Sequence, residues 1–400
     1  MCIPPTALAF LFACTVTLTG LCFGISRSPD PAWPLFVAAP GSPITVTGRP
    51  QNLAVGDVNN DGKPDLVIAC ADQQVIVFLG DGKGGFKAAV GSPIKLATSG
   101  SPNARRVAPG EMALGDVNGD GNLDLALTDH DSYAVTVLLG DGKGGFAPAP
   151  GSPFAMKKGE HPHTHGLALA DVNGDGKLDL VTANNDDNDV AVLLGDGKGG
   201  FAPAPGSPFP VGPSPYPLAV GDVNGDGQPD IITPNSKPGE RTVTVLLGDG
   251  RGGFQPAKGS PFAAGGQPYY IALGDVNGDG KPDLVVPHSD DSRVTVLLGD
   301  GTGGFAPAPG SPVDLGSRAW AVAVADINGD GKADLVAATG EAVRVMLGDG
   351  RGSFKAAPDS PFAAGKGAWR LVVADLNGDG KPDVATTGVE SNTATVLLGR

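Results

Sequence analysis

A nine-residue acidic motif, D-x-N-x-D-G-x-x-D, recurs seven times and sets the period of the chain. Successive copies begin 59, 55, 51, 53, 51 and 49 residues apart. A regular period of this length is typical of arrays built from one supersecondary unit, and it outweighs the two or three domains that length alone favours. The sequence therefore predicts a single repetitive domain.

The third copy shows what one repeat contains. Residues 167–209 hold an apolar run before the acidic motif, apolar runs at 179–183 and 190–195 after it, a Gly-rich turn and a proline-containing segment. The runs are short and rich in β-branched residues, none shows helical periodicity, and the prolines suit only an edge strand. Four antiparallel strands per repeat, seven times over, predict an all-β fold, a seven-bladed β-propeller.

The two ends of the chain complement each other. The last repeat stops at residues 393–400 after its third strand, and FVAAPGSPI at 36–44 matches the segment that this repeat lacks. A ring closed by this N-terminal strand would pair two sheet edges that a linear array leaves open. We expect one propeller domain over residues 36–400, with 36–44 as its closing strand.

The acidic motif offers oxygen ligands to a hard cation. Side chains at positions 1, 3, 5 and 9 and a backbone carbonyl at position 7 suit Ca²⁺, which takes about six to eight oxygens in a flexible shell, better than Mg²⁺. Glycine at position 6 permits the left-handed turn that folds these oxygens inward. The motif contains no soft ligand, which disfavours zinc and copper.

We therefore expect about seven calcium ions, one for each repeat. The candidate ligands at position 1 are Asp57, Asp116, Asp171, Asp222, Asp275, Asp326 and Asp375. Those at position 3 are Asn59, Asn118, Asn173, Asn224, Asn277, Asn328 and Asn377, and those at position 5 are Asp61, Asp120, Asp175, Asp226, Asp279, Asp330 and Asp379. The carbonyls at position 7 belong to Lys63, Asn122, Lys177, Gln228, Lys281, Lys332 and Lys381, and position 9 holds Asp65, Asp124, Asp179, Asp230, Asp283, Asp334 and Asp383.

Two other interpretations of the motif stay open. An EF-hand or dockerin loop shares its first half, but such a loop needs an acid at position 12 and flanking helices. Here the last acid stands at position 9 and an apolar strand follows at once. The second alternative is an Asx-rich hairpin turn that binds no metal, against which seven copies with the same three Asp and one Asn argue.

The motif DVNGDGKPD at 275–283, together with tails of the type FxxxPGSPF, resembles FG-GAP or VCBS-type repeats. These are the units of the integrin α-chain propeller and of certain fungal lectins, and the resemblance covers residues 36–400. It implies an integrin-α-like seven-bladed propeller with calcium in the loops between the first two strands of each blade, all on one face. Partners of the family usually bind the opposite face. Most members are adhesion or recognition proteins, and some relatives are enzymes.

The negative charge of the chain belongs largely to the acidic motifs. Their aspartates account for 21 of the 43 acidic residues, and seven divalent cations would bring the formal net charge from −15 to −1. The acidity therefore indicates metal-binding capacity. It argues against nucleic acid as a partner, because phosphate binding needs clustered Lys and Arg.

Residues 1–24 are mostly apolar and carry no charged side chain. We interpret them as a secretory signal peptide with cleavage after Gly24, followed by a short leader at 25–35. The segment lacks a basic start and is long enough to span a bilayer, so a retained signal-anchor is the alternative. Once it is removed, Cys70 is the single cysteine left, and no intrachain disulfide can form.

The connections between blades carry aromatic residues at near-equivalent places, with arginines beside the tryptophans. Because loops on a rigid frame usually carry specificity, these residues are candidates for binding a sugar or an extended peptide. The alternative is that the rings plug the channel or pack between blades. The candidates are Tyr216, Tyr269, Tyr270, Arg318, Trp320, Trp369 and Arg370.

His161, His163 and His165 form an H-x-H-x-H pattern, which in an extended chain points three imidazoles to one side. They could hold a transition metal or respond to pH, and the alternative is an exposed polar loop. His130 and His288 lie in acidic connections between second and third strands, where we expect solvated or turn residues.

The sequence shows no nucleophile elbow, zinc-protease motif, P-loop or nucleotide fingerprint. We therefore expect a secreted or cell-surface, lectin-like recognition or adhesion module, monomeric, that binds carbohydrate or an extracellular protein and uses calcium structurally. It would touch a membrane only if residues 1–24 are retained. The alternative is an extracellular lyase or hydrolase that acts on polysaccharide.

Overall fold

The computed structural model describes residues 34–96, 109–157 and 163–400. The segment 1–24, the leader up to residue 33 and His161 lie outside the described residues. Within the described ranges every regular element is a β-strand. No helix in this part of the chain is long and apolar enough to cross a membrane.

The described residues form 34 strands. In chain order they are β1 Phe36–Ala38, β2 Ile44–Thr45, β3 Pro50–Gly56, β4 Asp65–Cys70, β5 Gln74–Gly80, β6 Phe86–Ala88, β7 Ile94–Lys95, β8 Pro109–Gly115, β9 Asp124–Asp129, β10 Ala134–Gly140, β11 Phe146–Pro148, β12 Phe154–Ala155, β13 Thr164–Ala170, β14 Asp179–Asn184, β15 Asp189–Gly195, β16 Phe201–Pro203, β17 Phe209–Pro210, β18 Ala219–Gly221, β19 Asp230–Asn235, β20 Thr242–Gly248, β21 Phe254–Pro256, β22 Phe262–Ala263, β23 Ala272–Gly274, β24 Asp283–Pro287, β25 Arg293–Gly299, β26 Phe305–Pro307, β27 Val313–Asp314, β28 Ala321–Ala325, β29 Asp334–Ala338, β30 Gly340–Gly348, β31 Phe354–Ala356, β32 Phe362–Ala374, β33 Asp383–Gly388 and β34 Thr393–Gly399.

Each repeat is a four-stranded antiparallel sheet whose outer strand is split in two. In the third repeat the order is β13-β14-β15-β16, and β17 pairs with the other end of β15. The outer strand is interrupted at the Ser207–Pro208 peptide bond. This bond is cis, and six equivalent Ser–Pro bonds are cis as well. There the Ser207 hydroxyl accepts a hydrogen bond from the Val192 amide at 2.9 Å, so a side chain continues the ladder. The proline-containing segment thus occupies the sheet edge, as predicted.

The hydrophobic core lies between neighbouring sheets. All six residues of β14 are buried, because its side chains alternate between the sheets on its two sides. One cluster joins Val67 and Val77 of the first repeat to Leu125 and Leu138 of the second. Strands buried on both faces read as continuous apolar runs, which explains the unbroken DLVT-type segments of the sequence.

Five sheets hold one repeat each, and a nine-stranded sheet holds the last two. The last two are joined because β32 runs without a break from the edge of one repeat to the inner position of the next. No sheet of the described residues closes on itself. The all-β prediction is confirmed, and the repeated four-stranded antiparallel sheets resemble propeller blades.

The N-terminal segment completes the sheet of the last repeat. Strand β1 is antiparallel to β34, with Phe36 opposite Gly399, and β2 pairs with the start of the same strand. The Ser42 hydroxyl accepts a hydrogen bond from the Val396 amide at 2.9 Å, which is the role that Ser207 plays in the third repeat. The segment FVAAPGSPI therefore stands where the outer strand of an internal repeat stands.

Contacts across the chain ends match those between internal repeats. The ring of Phe36 meets that of Phe362 edge-on with centroids 5.2 Å apart, and Phe209 meets Phe254 edge-on at 5.3 Å. A buried apolar cluster combines residues of the first repeat with residues of the last. The first and last repeats therefore pack against each other.

Candidate functional site

The acidic motifs form tight loops that fold onto their own amides. In the fifth repeat, Asp275 accepts hydrogen bonds from the amides of Gly278 at 2.7 Å and Gly280 at 2.8 Å. Asn277 accepts one from the Asp279 amide at 2.9 Å. These bonds fold the side chains at positions 1 and 3 back onto amides of their own loop, and Gly280 supports the turn with φ of 80°.

The aspartate at position 9 is buried, unlike the exposed residues of the loop. Asp283 is fully buried and accepts hydrogen bonds from the amides of Val276 at 2.9 Å and Gly299 at 2.8 Å. Burial raises the pKa of Asp283 to about 6, the charges of Asp275 and Asp279 add to the rise, and the two amide bonds oppose it. This carboxylate therefore ties the loop to the end of the third strand.

Glycine ends the third strand because a side chain has no room there. A Cβ added to Gly299 would lie 2.2 Å from the carbonyl oxygen of Pro282. The same collision meets the strand-ending glycine of every repeat, at 2.0 to 2.4 Å. Only a bare glycine lets its amide approach the buried aspartate, which accounts for the repeated VLLG ending.

The loops fit a hard cation in their donor chemistry. All side-chain candidates are carboxylate or amide oxygens. In four loops the lysine at position 7 faces the aspartate at position 5, as Lys177 Nζ does at 3.1 Å from Oδ2 of Asp175, so the loop attracts positive charge. Of the described residues, two groups of three His or Asp side chains bring ligand atoms within 4.8 Å of one another, and neither is an acidic loop. Calcium in the loops stays a prediction.

The first strands begin at the opposite end of the sheets, and there the candidate aromatic residues meet. Trp320 stacks on Trp369 with centroids 4.6 Å apart at 27°, and both contact Tyr269 edge-on. Tyr269 in turn lies 4.9 Å from Tyr216, and all four rings are half-buried. We call these four residues the aromatic surface. Arg318 is exposed above it, with its guanidinium carbon 5.5 Å from the Trp320 ring.

Arg370 lies below the aromatic surface in a buried ion pair with Glu111. Glu111 Oε2 also accepts a hydrogen bond from the side-chain amide of Asn52 at 2.6 Å. Burial opposes the charge on Arg370, but Glu111 and then Tyr270 hold its pKa above the ordinary value. The Arg370 guanidinium also lies 5.2 Å from the centroid of the Tyr270 ring, so in this structure Arg370 and Tyr270 contact each other below the aromatic surface.

A cavity of about 130 Å³ follows the inner strands beside this ion pair. Asn52, Glu111, Tyr270 and Arg370 contribute to its lining. This volume is below the roughly 300–1,000 Å³ that is typical of small-molecule sites.

Three histidines converge at the edge of the aromatic surface. His163 Nε2 lies 3.1 Å from His130 Nε2 and 2.8 Å from His165 Nε2. His165 is buried with its ring centroid 3.5 Å from that of Tyr216. Burial lowers the pKa of His165 to about 2, and the neighbouring His130, His163 and Arg370 add to this effect. We call His130, His163 and His165 the histidine cluster.

The alternation of the H-x-H-x-H pattern predicts part of this cluster. His163 and His165 point to the same side, as expected, while His161 lies outside the described residues. Sequence reasoning missed His130, which it treated as a solvated turn residue. His130 lies in the connection between the second and third strands of the preceding repeat. That connection is on the same face as His163 and His165, and this position could have indicated that His130 joins them. His288, expected to be a solvated or turn residue, is instead buried in an isolated β-bridge with Pro268, and its Nε2 lies 2.8 Å from Thr295 Oγ1.

Repeated four-stranded sheets, seven acidic loops at one end and a convergent surface at the other define an all-β repeat protein with a propeller-like scaffold. The sequence matches the FG-GAP-like repeat over residues 57–126, 116–182, 171–233, 236–286, 288–337 and 326–386. The chain belongs to the family of FG-GAP-like repeat proteins, which confirms the resemblance drawn from its motifs. No curated protein matches the chain.

Solved structures share the fold at low sequence identity. BBS1N in complex with ARL6DN is 13% identical, with a TM-score of 0.63 over 92% of this chain and 97% of that one. A catalytically inactive virginiamycin B lyase from Staphylococcus aureus with quinupristin is 12% identical, with a TM-score of 0.55 over 89% and 98%. An Agrocybe aegerita lectin that recognises non-reducing terminal N-acetylglucosamine is 25% identical, with a TM-score of 0.51 over 79% and 81%.

Proposed function

We propose that the chain is an exported recognition module built on a closed ring of seven blades, with calcium as a structural ion and carbohydrate as its ligand. Export rests on the apolar segment 1–24. The seventh blade combines β32–β34 with the N-terminal strands β1 and β2. Support for closure comes from the contact of Phe36 with Phe362, which repeats the contact between internal repeats.

Calcium is assigned to the acidic loops on their ligand chemistry. Each loop places three aspartates and one asparagine within nine residues, so their mutual repulsion favours a divalent cation. A cation bound only to the folded loop stabilises the native state by mass action. Asp57, Asn59, Asp61, the carbonyl of Lys63 and Asp65 would hold the ion of the first blade, and the equivalent residues would serve the others.

The aromatic surface is the observation that carries the proposed ligand class. Trp320, Trp369, Tyr269 and Tyr216 come from four different repeats, yet they meet in one half-buried group on the face opposite the acidic loops. Sugars bind to such surfaces through the apolar faces of their rings, with hydrogen bonds from nearby donors such as Arg318. Trp320 and Trp369 cover each other, so the sugar would lie against their outer faces and edges. The 25% identical lectin supports the same ligand class.

A glycan array in the presence of calcium tests the proposal. We expect the native chain to bind a defined glycan and the Trp369→Ala and Trp320→Ala variants to lose at least about tenfold in affinity, as central aromatic contacts usually do. Val90→Ala is the control, since Val90 is fully exposed in the turn between β6 and β7, at the outer edge of its sheet. Binding that survives both tryptophan substitutions would refute the site, and the absence of any glycan ligand would refute the ligand class.

The same samples distinguish recognition from catalysis. A lyase or hydrolase would shorten the bound polysaccharide, and chromatography of the glycan after incubation would detect its products. We expect the glycan to be recovered intact. Release of shorter products by the native chain, lost in His163→Gln, would favour the enzyme instead.

A further inference from the structure

The histidine cluster has the geometry of a metal site that is separate from the acidic loops. His130 comes from the connection between β9 and β10, while His163 and His165 flank the first residue of β13. The three side chains bring ligand nitrogens within 4.8 Å of one another. Nε2 of His163 lies 2.8 Å from Nε2 of His165 and 3.1 Å from Nε2 of His130.

Two carboxylates fix how the rings present their nitrogens. Nδ1 of His130 lies 2.8 Å from Oδ1 of Asp131, and Nδ1 of His163 lies 3.1 Å from Oδ1 of Asp186. A carboxylate accepts hydrogen bonds, so each Nδ1 carries the proton and each Nε2 presents a lone pair. Carboxylates hydrogen-bonded to the far nitrogen are the usual supports of metal-ligating histidines, because they orient the ring and raise its basicity.

The Nε2 contact between His130 and His163 has no proton to share in this arrangement. With both rings neutral, the two nitrogens are acceptors at 3.1 Å, and a neutral His165 can donate to one of them at most. Lone pairs this close repel unless a proton or a metal ion lies between them. Three imidazoles without a carboxylate ligand favour a transition metal ion over calcium or magnesium.

We propose that His130, His163 and His165 bind one divalent transition metal ion, of which Zn²⁺ is the representative, through their Nε2 atoms. Tetrahedral zinc with bonds of about 2.0–2.1 Å separates its nitrogen ligands by about 3.3 Å, so the separations of 3.1 Å and 2.8 Å would widen by roughly 0.2 Å and 0.5 Å. His165 is buried against Tyr216, whereas the side chains of His130 and His163 are 36% and 29% exposed. The fourth coordination position therefore faces solvent at the edge of the aromatic surface.

A site with three protein ligands and one open position takes an additional oxygen ligand from solvent or from a bound molecule. A hydroxyl or carboxylate group of a ligand on the aromatic surface would reach the metal from Tyr216. The metal site itself stands independently of carbohydrate recognition, because its ligands and their supports belong to the chain alone.

Titration of the full chain with Zn²⁺ in excess Ca²⁺ tests the proposal, since Ca²⁺ saturates the acidic loops first. We expect one saturable zinc site per chain, and Co²⁺ in its place should give the strong visible absorption of a four-coordinate ion. His130→Gln and His163→Gln should each weaken Zn²⁺ binding at least about tenfold, and Asp186→Asn should weaken it about 10- to 100-fold. These side chains are partly exposed, so the variants should keep the native melting temperature in Ca²⁺.

Asp72→Asn is the matched control. Asp72 is an exposed aspartate between the second and third strands of the first repeat, as Asp186 is in the third repeat, but it accepts a hydrogen bond from the Gln74 side chain at 2.8 Å instead of supporting a histidine. Zinc affinity should be unchanged in this variant. The proposal is overturned if no saturable zinc site exists in Ca²⁺, if the affinity survives either histidine substitution, or if Asp72→Asn weakens it as much as Asp186→Asn.

Discussion

Replacing Glu111 by leucine tests the buried ion pair that links the inner strands. The Arg370 and Glu111 side chains are 8% and 14% exposed and come from β32 and β8, 259 residues apart. Arg370 Nε and Nη1 already have no hydrogen-bond partner in the described structure, so Glu111→Leu leaves a buried cation without a carboxylate. Removing one partner of a buried pair typically costs about 3–5 kcal/mol of unfolding free energy.

Urea unfolding of the calcium-bound protein, followed by tryptophan fluorescence, measures this loss. The control is Arg241→Met, which breaks a pair at 3.5 Å whose side chains are 60% and 33% exposed and should cost no more than about 1 kcal/mol. The double variant Glu111→Leu with Arg370→Met removes both charges and should be less destabilised than Glu111→Leu alone. A single-variant loss below about 1 kcal/mol, or a double variant that loses the sum of both single losses, would refute the reasoning.

Three further perturbations test separate parts of the fold. Phe36→Ala and Phe254→Ala should each lower the unfolding free energy by about 3–5 kcal/mol, because both rings are 3% exposed and make the same edge-on contact. Urea unfolding measures both losses. A loss below about 1 kcal/mol for Phe36→Ala alone would contradict closure by the N-terminal strand. Gly299→Ala should lose about 1–3 kcal/mol or more in the same assay, since its Cβ meets the Pro282 carbonyl, and a neutral result would contradict the close approach. Burial raises the pKa of Tyr269 above its ordinary 10.0, so the unfolded chain loses this proton first and stability should fall as pH rises above about 10. Between about pH 8 and pH 11 the melting temperature of Tyr269→Phe should fall less than that of the native chain. An equal fall would show that Tyr269 is not the source of the pH dependence.

The sequence predicts the repeat and its strands well because both depend on local patterns. Apolar runs of about five residues and the acidic motif occur in every copy, Gly-rich turns occur in the first six, and the structure places the strands and turns as expected. The position-9 aspartate shows the limit of such patterns. The motif predicts a calcium ligand at this position, but it does not predict that Asp283 is buried and bonded to the Gly299 amide, because that depends on how the third strand ends beside the loop.

The site on the other face depends on contacts between distant repeats. Equivalent positions of Tyr216, Tyr269, Trp320 and Trp369 in the repeats suggest that these rings lie on one face, but not that they touch. The pairing of Arg370 with Glu111 joins residues 259 positions apart, so no local pattern could reveal that this arginine is buried. His130 likewise becomes a neighbour of His163 only when the connections of adjacent repeats meet.

Calcium binding per chain tests most directly the central claim that one cation stabilises each repeat. Equilibrium dialysis followed by metal analysis should find about seven Ca²⁺ per native chain and about one fewer in Asp279→Ala, because the acidic motif occurs seven times. Melting curves of the same samples should show a large fall in melting temperature in excess EGTA, since a cation that binds only the folded loops would stabilise the native state. A chain that binds no calcium and melts unchanged in EGTA would contradict the account.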